Sequence, residues 1–362
     1  MPRTFRMQPF AKFLIKEIDM KLKALFASLV AACMLLPGAA KADDPIELSF
    51  QLCYNPAHTL WGQVFKPWAD SFAEKTNGKF TIHLFPNNAI VDNPEVSKAI
   101  KNGLMDMGAW TPFHNPRETP YLATVAIPSF MKNCVQGSLA LRKWIETMPE
   151  AKKESQSVGI PIAAWTSAPT SIVSMTTPVH TPDDLKGRRI LCLSGADANI
   201  LTAWGALPVK ISVPDLFVGL QRGMGDGCIG TPPGQKGWKV QEIAKSCSVI
   251  PSQNVPYILS INKESFEDLP KEYQDLLLES AKGLSDQISK ALNDDIENAL
   301  KLFADCGMEI VRLTPEQQKM FDDTQKLDSP DGIWAKYLVD NGIKGDPLEL
   351  IRKAQEVANS IE

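Results

Sequence analysis

What the chain lacks narrows its chemistry first. Only four histidines, at 58, 83, 114 and 180, occur in 362 residues, and none stands in an HExxH pair. GxSxG, the P-loop and a GxGxxG opening a helix are also missing. "GMGDG" at 223–227 has the glycines, but it follows a helical pattern and leads into a strand. That order is wrong for a phosphate cradle at a helix N-terminus. The seven cysteines include no CxxC, which argues against a redox motif or a zinc site. Cys53 lies near His58, yet a strand cysteine beside a loop histidine is more often packing than a catalytic pair. No enzyme is expected, and no cofactor or metal is implied.

The N-terminus carries an address. From Met20 the chain reads "MKLKALFASLVAACMLLPGAAKADDP": a basic start, an apolar stretch and small residues before Ala42. This is the pattern of a secretory signal peptide cleaved after Ala42, so the expected location is periplasmic. Residues 1–19 lack that logic, which leaves Met1 and Met20 as rival starts. "VAAC" at 30–33 also resembles a lipobox that would acylate Cys33, although the apolar run continues past it. The run is shorter than the ~20 residues a membrane span needs. The first 42 residues hold seven basic and two acidic side chains, so the remainder has a net charge near −9. That disfavours nucleic acid and anionic membrane as partners. Six cysteines remain: Cys53, Cys134, Cys192, Cys228, Cys247 and Cys306. An even number in an exported chain permits disulfides, buried free thiols are the equal alternative, and the pairing stays open.

Periodicity indicates an α/β fold. "IELSFQLCY" reads as a strand entering a loop, "GQVFKPWADSFAEKTNGK" as a helix stopped at Asn77-Gly78, and "FTIHLFP" as a strand with Phe80, Ile82 and Leu84 on one face. "NPEVSKAIKNGLMDMGAWTP" gives a short helix, a glycine stop and a buried strand. Further on, "PIAAWTSAPTSIVSMT", "GRRILCLSG" and "PVKIS" read as strands, and "ADANILTAWGA" as a helix. "VPDLFVGLQRGMGDGCIGTP" then repeats the helix–glycine–strand plan, which suggests corresponding units in two similar lobes. Between Lys271 and Asp305 apolar residues recur at helical spacing without a proline. The pattern predicts one helix long enough to brace both lobes, or two helices broken near Gly283.

Several stretches together resemble a known family: "FAEKTNGKFTIHLFPNN", "AIKNGLMDMGAW", "TPDDLKGRRI", "WGALPVKISVPDLFVGLQRGMGDGCIG" and "INKESFEDLPKEYQDLLLESA". In this order, from about 46 to 330, they look like the DctP-type solute-binding proteins of tripartite ATP-independent periplasmic (TRAP) transporters. The resemblance implies a two-lobed, periplasmic-binding-protein-like α/β fold with a hinge, mixed and mostly parallel sheets, and a long C-terminal helix spanning both lobes. On that reading residues 1–42 are extension and signal. Lobe I takes 43–165 plus about 254–290, lobe II takes 166–253 plus about 291–330, and 331–362 is a C-terminal helical segment. The implied partners are a small organic solute and the small and large TRAP membrane subunits. A monomer is expected, with dimerisation through 330–362 as the alternative. A sensor feeding a signalling receptor is the rival function, and an exported enzyme a more distant one.

Loops at the carboxyl ends of parallel strands converge on a crevice. The solute-binding candidates are therefore His58, Trp61, Trp110, Thr111, Trp165 and Thr170 from the first lobe and the crossing, and Leu191, Val213, Gly230 and Thr231 from the second. Each tryptophan is equally readable as core, and Trp204 is read as core. The family often reads "DLKG-x-K-I-R", with the arginine clamping a ligand carboxylate. Counting from Asp184-Leu185-Lys186-Gly187, that arginine is Leu191, and an asparagine common in the family falls near Gly230. Arg189, on the same strand face, would either reach a carboxylate from lower in the cleft or sit at the surface. A buried carboxylate without a partner is unfavourable by several kcal/mol. The expected solute is thus an amine, or a neutral polar or aromatic molecule, with Asp92 or Asp197 as a counter-charge and Asp226 shaping its turn.

Overall fold

The computed structural model describes residues 45–125, 131, 133–167 and 171–361. The segment read as a signal, with Met20 and Cys33, lies outside the described residues, and so does Thr170. The strands assemble into two mixed sheets. The first has β1 (Ile46–Gln51), β2 (Phe80–Phe85), β3 (Met107–Trp110), β4 (Ile160–Thr166) and β10 (Pro256–Ile261), in the order β2-β1-β3-β10-β4. The second has β5 (Ser171–Ser174), β6 (Arg189–Cys192), β7 (Leu207–Lys210), β8 (Gly227–Gly230), β9 (Ser246–Val249) and β11 (Glu309–Arg312), in the order β11-β9-β5-β8-β6-β7. Strands β10 and β5 run antiparallel to both their neighbours, whereas β1–β3, β6–β7, β6–β8 and β9–β11 are parallel.

The two helix–glycine–strand units match. Helix Val96–Lys101 is followed by Gly103 at φ 69° and then β3, and helix Val213–Gln221 by Gly223 at φ 71° and then β8. A left-handed residue ends each helix, and glycine adopts that conformation without steric penalty. The chain leaves the first sheet after β4, returns after β9, and passes to the second sheet again along a helix before β11.

That helix is Leu284–Asp305. The helical pattern begins at Lys271 as expected, but it divides: Lys271–Ser280 ends, Gly283 turns left-handed at φ 79°, and the longer helix starts at Leu284. A single helix of about 35 residues is thereby corrected to one of 22 residues, about 33 Å long. It still spans both sheets. Its neighbours are β4 and helix Cys134–Thr147 on one side, and helix Pro232–Gly237 and β11 on the other. The C-terminal helices Ile333–Asp340 and Pro347–Asn359 bury Trp334, Leu338, Ile351 and Ala354 in the core that also holds Trp144 and Trp204. These side chains of the C-terminal segment pack within the chain. No disulfide links the six cysteines among the described residues.

Candidate solute site

The end of β1 starts the site. Buried Gln51 fixes the neighbouring loop: its Oε1 accepts from Ile90 N (2.7 Å) and Val91 N (2.9 Å), and its Nε2 donates to the Val91 carbonyl (2.8 Å). The chain then turns through Cys53, Tyr54 and His58 into the short π-helical turn Trp61–Phe65. His58 stacks on Tyr54 at 4.3 Å, Tyr54 lies nearly parallel to Phe65 at 6.2 Å, and Phe65 is 5.9 Å from Trp165. Trp165 stacks flat on Tyr257 at 5.6 Å, where the two are register partners across β4 and β10. Five aromatic rings from three segments thus form one row.

Trp165 is held by its strand. β4 is an edge strand, and exposed edges leave amide groups to satisfy. Here Ser138 Oγ accepts from Thr166 N (3.0 Å) and Ser285 Oγ accepts from Ala164 N (3.1 Å), so two helices supply the missing partners.

The second sheet brings charge. Ser194 caps helix Gly195–Ala203 in a reciprocal capping box with Asp197. Asp197 also accepts a hydrogen bond from Gln253 Nε2, and burial still raises its pKa. Burial, then the nearby Cys53 and Asp197, push the Tyr257 hydroxyl well above its ordinary range, and burial pushes the Cys53 thiol up to about 12. Burial lowers His58 to about 4; Asp295 opposes that shift and Lys236 adds to it. Lys236 and Asp295 form an ion pair between helices Pro232–Gly237 and Leu284–Asp305. Cys53, Tyr54, His58 and Tyr257 keep part of their surface open to water even though burial dominates their ionisation. That combination is what the lining of a recess requires.

Three buried polar atoms here lack partners. Gln253 Oε1 and Asp295 Oδ2 accept nothing among the described residues, and Trp165 Nε1 lies toward the Tyr54 hydroxyl without a well-formed hydrogen bond. Buried polar groups are normally satisfied, so these atoms need a partner that the described residues do not supply. The arrangement offers stacking faces and a few hydrogen bonds. Among the described residues, no cluster of His, Cys, Asp and Glu is set to hold a metal.

The sequence candidates divide. His58 and Trp165 lie in the aromatic row, and Trp61 is half-buried in the turn beside it. Trp110 is buried, donating from Nε1 to Ser260 Oγ at 3.0 Å, and Thr111 is buried at the cap of the turn Pro112–His114, so both serve the first sheet's packing. Arg189 is exposed at the strand entrance, where one guanidinium nitrogen pairs with Asp226 at 2.9 Å. Leu191 is fully buried among Leu216, Leu220 and Cys228; it is a wall, but of the second lobe's core. Val213 is 46% exposed at a helix start, and Asp92 is also exposed. A Cβ on Gly230 would stand 2.6 Å from the Trp238 ring, so an indole fills the place of the family's asparagine. Thr231 caps helix Pro232–Gly237. Tyr54, Lys236, Gln253, Tyr257 and Asp295 were missed. Tyr54, four residues before His58, could have been found from its loop, whereas Tyr257 lies on β10, a strand the periodicity did not reveal.

Two mixed sheets, joined by crossing segments, frame this candidate site. The chain belongs to the DctP family, bacterial extracellular solute-binding protein family 7, whose profile matches residues 53–329. It is an extracytoplasmic solute receptor of the TRAP type. It is 21% identical over 309 residues to the 2,3-diketo-L-gulonate-binding periplasmic protein YiaO of Escherichia coli, covering 84% of this chain and 92% of that protein. It is 25% identical to the C4-dicarboxylate-binding periplasmic protein DctP of Rhodobacter capsulatus, covering 82% and 88%. Among solved structures, a marine metagenome TRAP solute-binding protein specific for aromatic acid ligands, in complex with 3-hydroxybenzoate, superimposes with a TM-score of 0.78 at 19% identity, covering 88% and 99%. Among the described residues no helix is long and apolar enough to cross a membrane.

Proposed function

We propose that this receptor captures a small amine, or a neutral polar or aromatic solute, between two lobes and delivers it unchanged to the small and large TRAP membrane subunits. The lobes are 43–165 with about 254–290, and 166–253 with about 291–330, after export through a signal ending at Ala42. One observation carries the ligand class: the recess combines stacked aromatic rings with the buried carboxylate of Asp197, while Leu191 stands in the core where the arginine was expected. Aromatic faces attract cations by about 0.5–2 kcal/mol and stack well on neutral rings. A simple carboxylate would enter beside Asp197 with no arginine to receive it, which is unfavourable by several kcal/mol. The relatives that bind C4-dicarboxylates or aromatic acids are therefore guides to the fold and the delivery route.

Titration calorimetry with succinate and with 3-hydroxybenzoate tests the reading. No heat of binding is expected up to millimolar concentrations. Micromolar binding of either acid, abolished by Tyr257→Leu, would overturn the ligand class while leaving the recess as the site.

A further inference from the structure

Beside the aromatic row, the charges of Asp295 and Lys236 both act on His58. His58 comes from the turn after β1, Lys236 from helix Pro232–Gly237, and Asp295 from helix Leu284–Asp305. The two helices pack on each other, and the turn Trp61–Phe65 that follows His58 packs on the longer one. The charged pair therefore rests on a common support, and the histidine arrives from the first sheet's side.

The hydrogen-bonding capacity of this cluster is incomplete. Asp295 has 2% of its side chain exposed; one carboxylate oxygen holds Lys236, and Oδ2 has no hydrogen-bond partner among the described residues. A carboxylate oxygen left open in the interior is strongly unfavourable unless something donates to it. His58 Nδ1 accepts from Leu60 N at 3.1 Å, so the neutral ring carries its proton on Nε2. The other face of that ring is occupied by Tyr54. This cluster thus presents an open acceptor in Asp295, a donor in His58, and an ammonium whose charge the carboxylate already balances.

We infer that His58, Lys236 and Asp295 form a polar-head subsite that takes a neutral group able both to donate and to accept, a hydroxyl or a primary amide, on a solute whose body lies along the aromatic row. The group donates to Asp295 Oδ2 and accepts from His58 Nε2 or Lys236. A carboxylate head meets the open oxygen as a like charge, and an ammonium head meets Lys236. This inference rests on the recess being the solute site.

The probe is the methanol extract of denatured wild-type receptor, added back to ligand-free protein and read as a shift in thermal midpoint and by calorimetry. Four proteins are compared: wild type, Tyr257→Leu, His58→Phe, which keeps a ring on Tyr54, and the double variant Lys236→Met/Asp295→Leu. The double variant replaces a buried ion pair with apolar side chains, a change that commonly leaves stability intact. Affinity is expected to fall about ten- to a hundredfold in both His58→Phe and the double variant, the effect of losing hydrogen bonds to charged or buried partners. Wild-type affinity in both, with binding lost in Tyr257→Leu, overturns the subsite and leaves the recess standing. Wild-type affinity in Tyr257→Leu as well overturns the recess itself.

Discussion

His58 ties the recess to pH. Its folded-state pKa of about 4 lies below the ordinary value of 6.5 because burial opposes the charged ring. Between those values the unfolded chain binds a proton that the folded chain does not. Its stabilising contribution is therefore present above pH 6.5 and is lost as pH falls toward 4, on the order of 2 kcal/mol in all. Denaturation midpoints measured from pH 4 to 7 should show this slope in wild type and a flatter one in His58→Phe; equal slopes would contradict the assignment. Leu191 supports a sharper test. Restoring the family's arginine there should not create an acid-binding receptor, because the side chain would enter the core beside Leu216 and Leu220. Leu191→Arg is expected to lose about 3 kcal/mol or more of stability, as a buried unpaired charge does. A folded variant that binds succinate would refute this placement. The departure at Leu191 was legible from counting along the motif. That Leu191 faces the core was not, since strand alternation alone does not say which face meets the solute.

Strand β4 and helix Cys134–Thr147 show how elements position the site. Gly137 lies against the strand so closely that a Cβ there would stand 2.3 Å from Thr166 Oγ1 and 2.9 Å from Met131 Sδ. Gly137→Ala should force the helix and strand apart, lower stability by about 1–3 kcal/mol as overpacking does, and weaken solute binding through the displaced Trp165. Unfolding and binding measured on the same protein check both parts, and an unchanged affinity would show that the strand tolerates the shift. The sequence pattern placed β1, β2, β3 and the paired helix–glycine–strand units well, because each has a clear period and a glycine stop. It did not reveal β9, β10 or β11. These are short strands of four to six residues, and periodicity alone does not separate segments of that length from loop or helix. β10 runs antiparallel between β3 and β4, so the simple parallel reading of the first sheet also missed Tyr257. Gly283 was visible as a candidate break, and its left-handed backbone made it one.

Across the molecule, the two sheets, the crossings between them and the bridging helix Leu284–Asp305 form the kind of frame a hinged receptor uses. Family and fold were legible from the order of several motifs, none decisive alone. The recess was only half legible, because rings from β1's loop, β4 and β10 meet through tertiary pairing that no local pattern encodes. A recess that holds its solute without the carboxylate clamp is checked by mass spectrometry of the small molecule released by denaturing receptor purified from the periplasm of its own host. Recovery of an amine, or of a neutral polar or aromatic molecule, is the predicted result. Recovery of a simple mono- or dicarboxylic acid would contradict the claim.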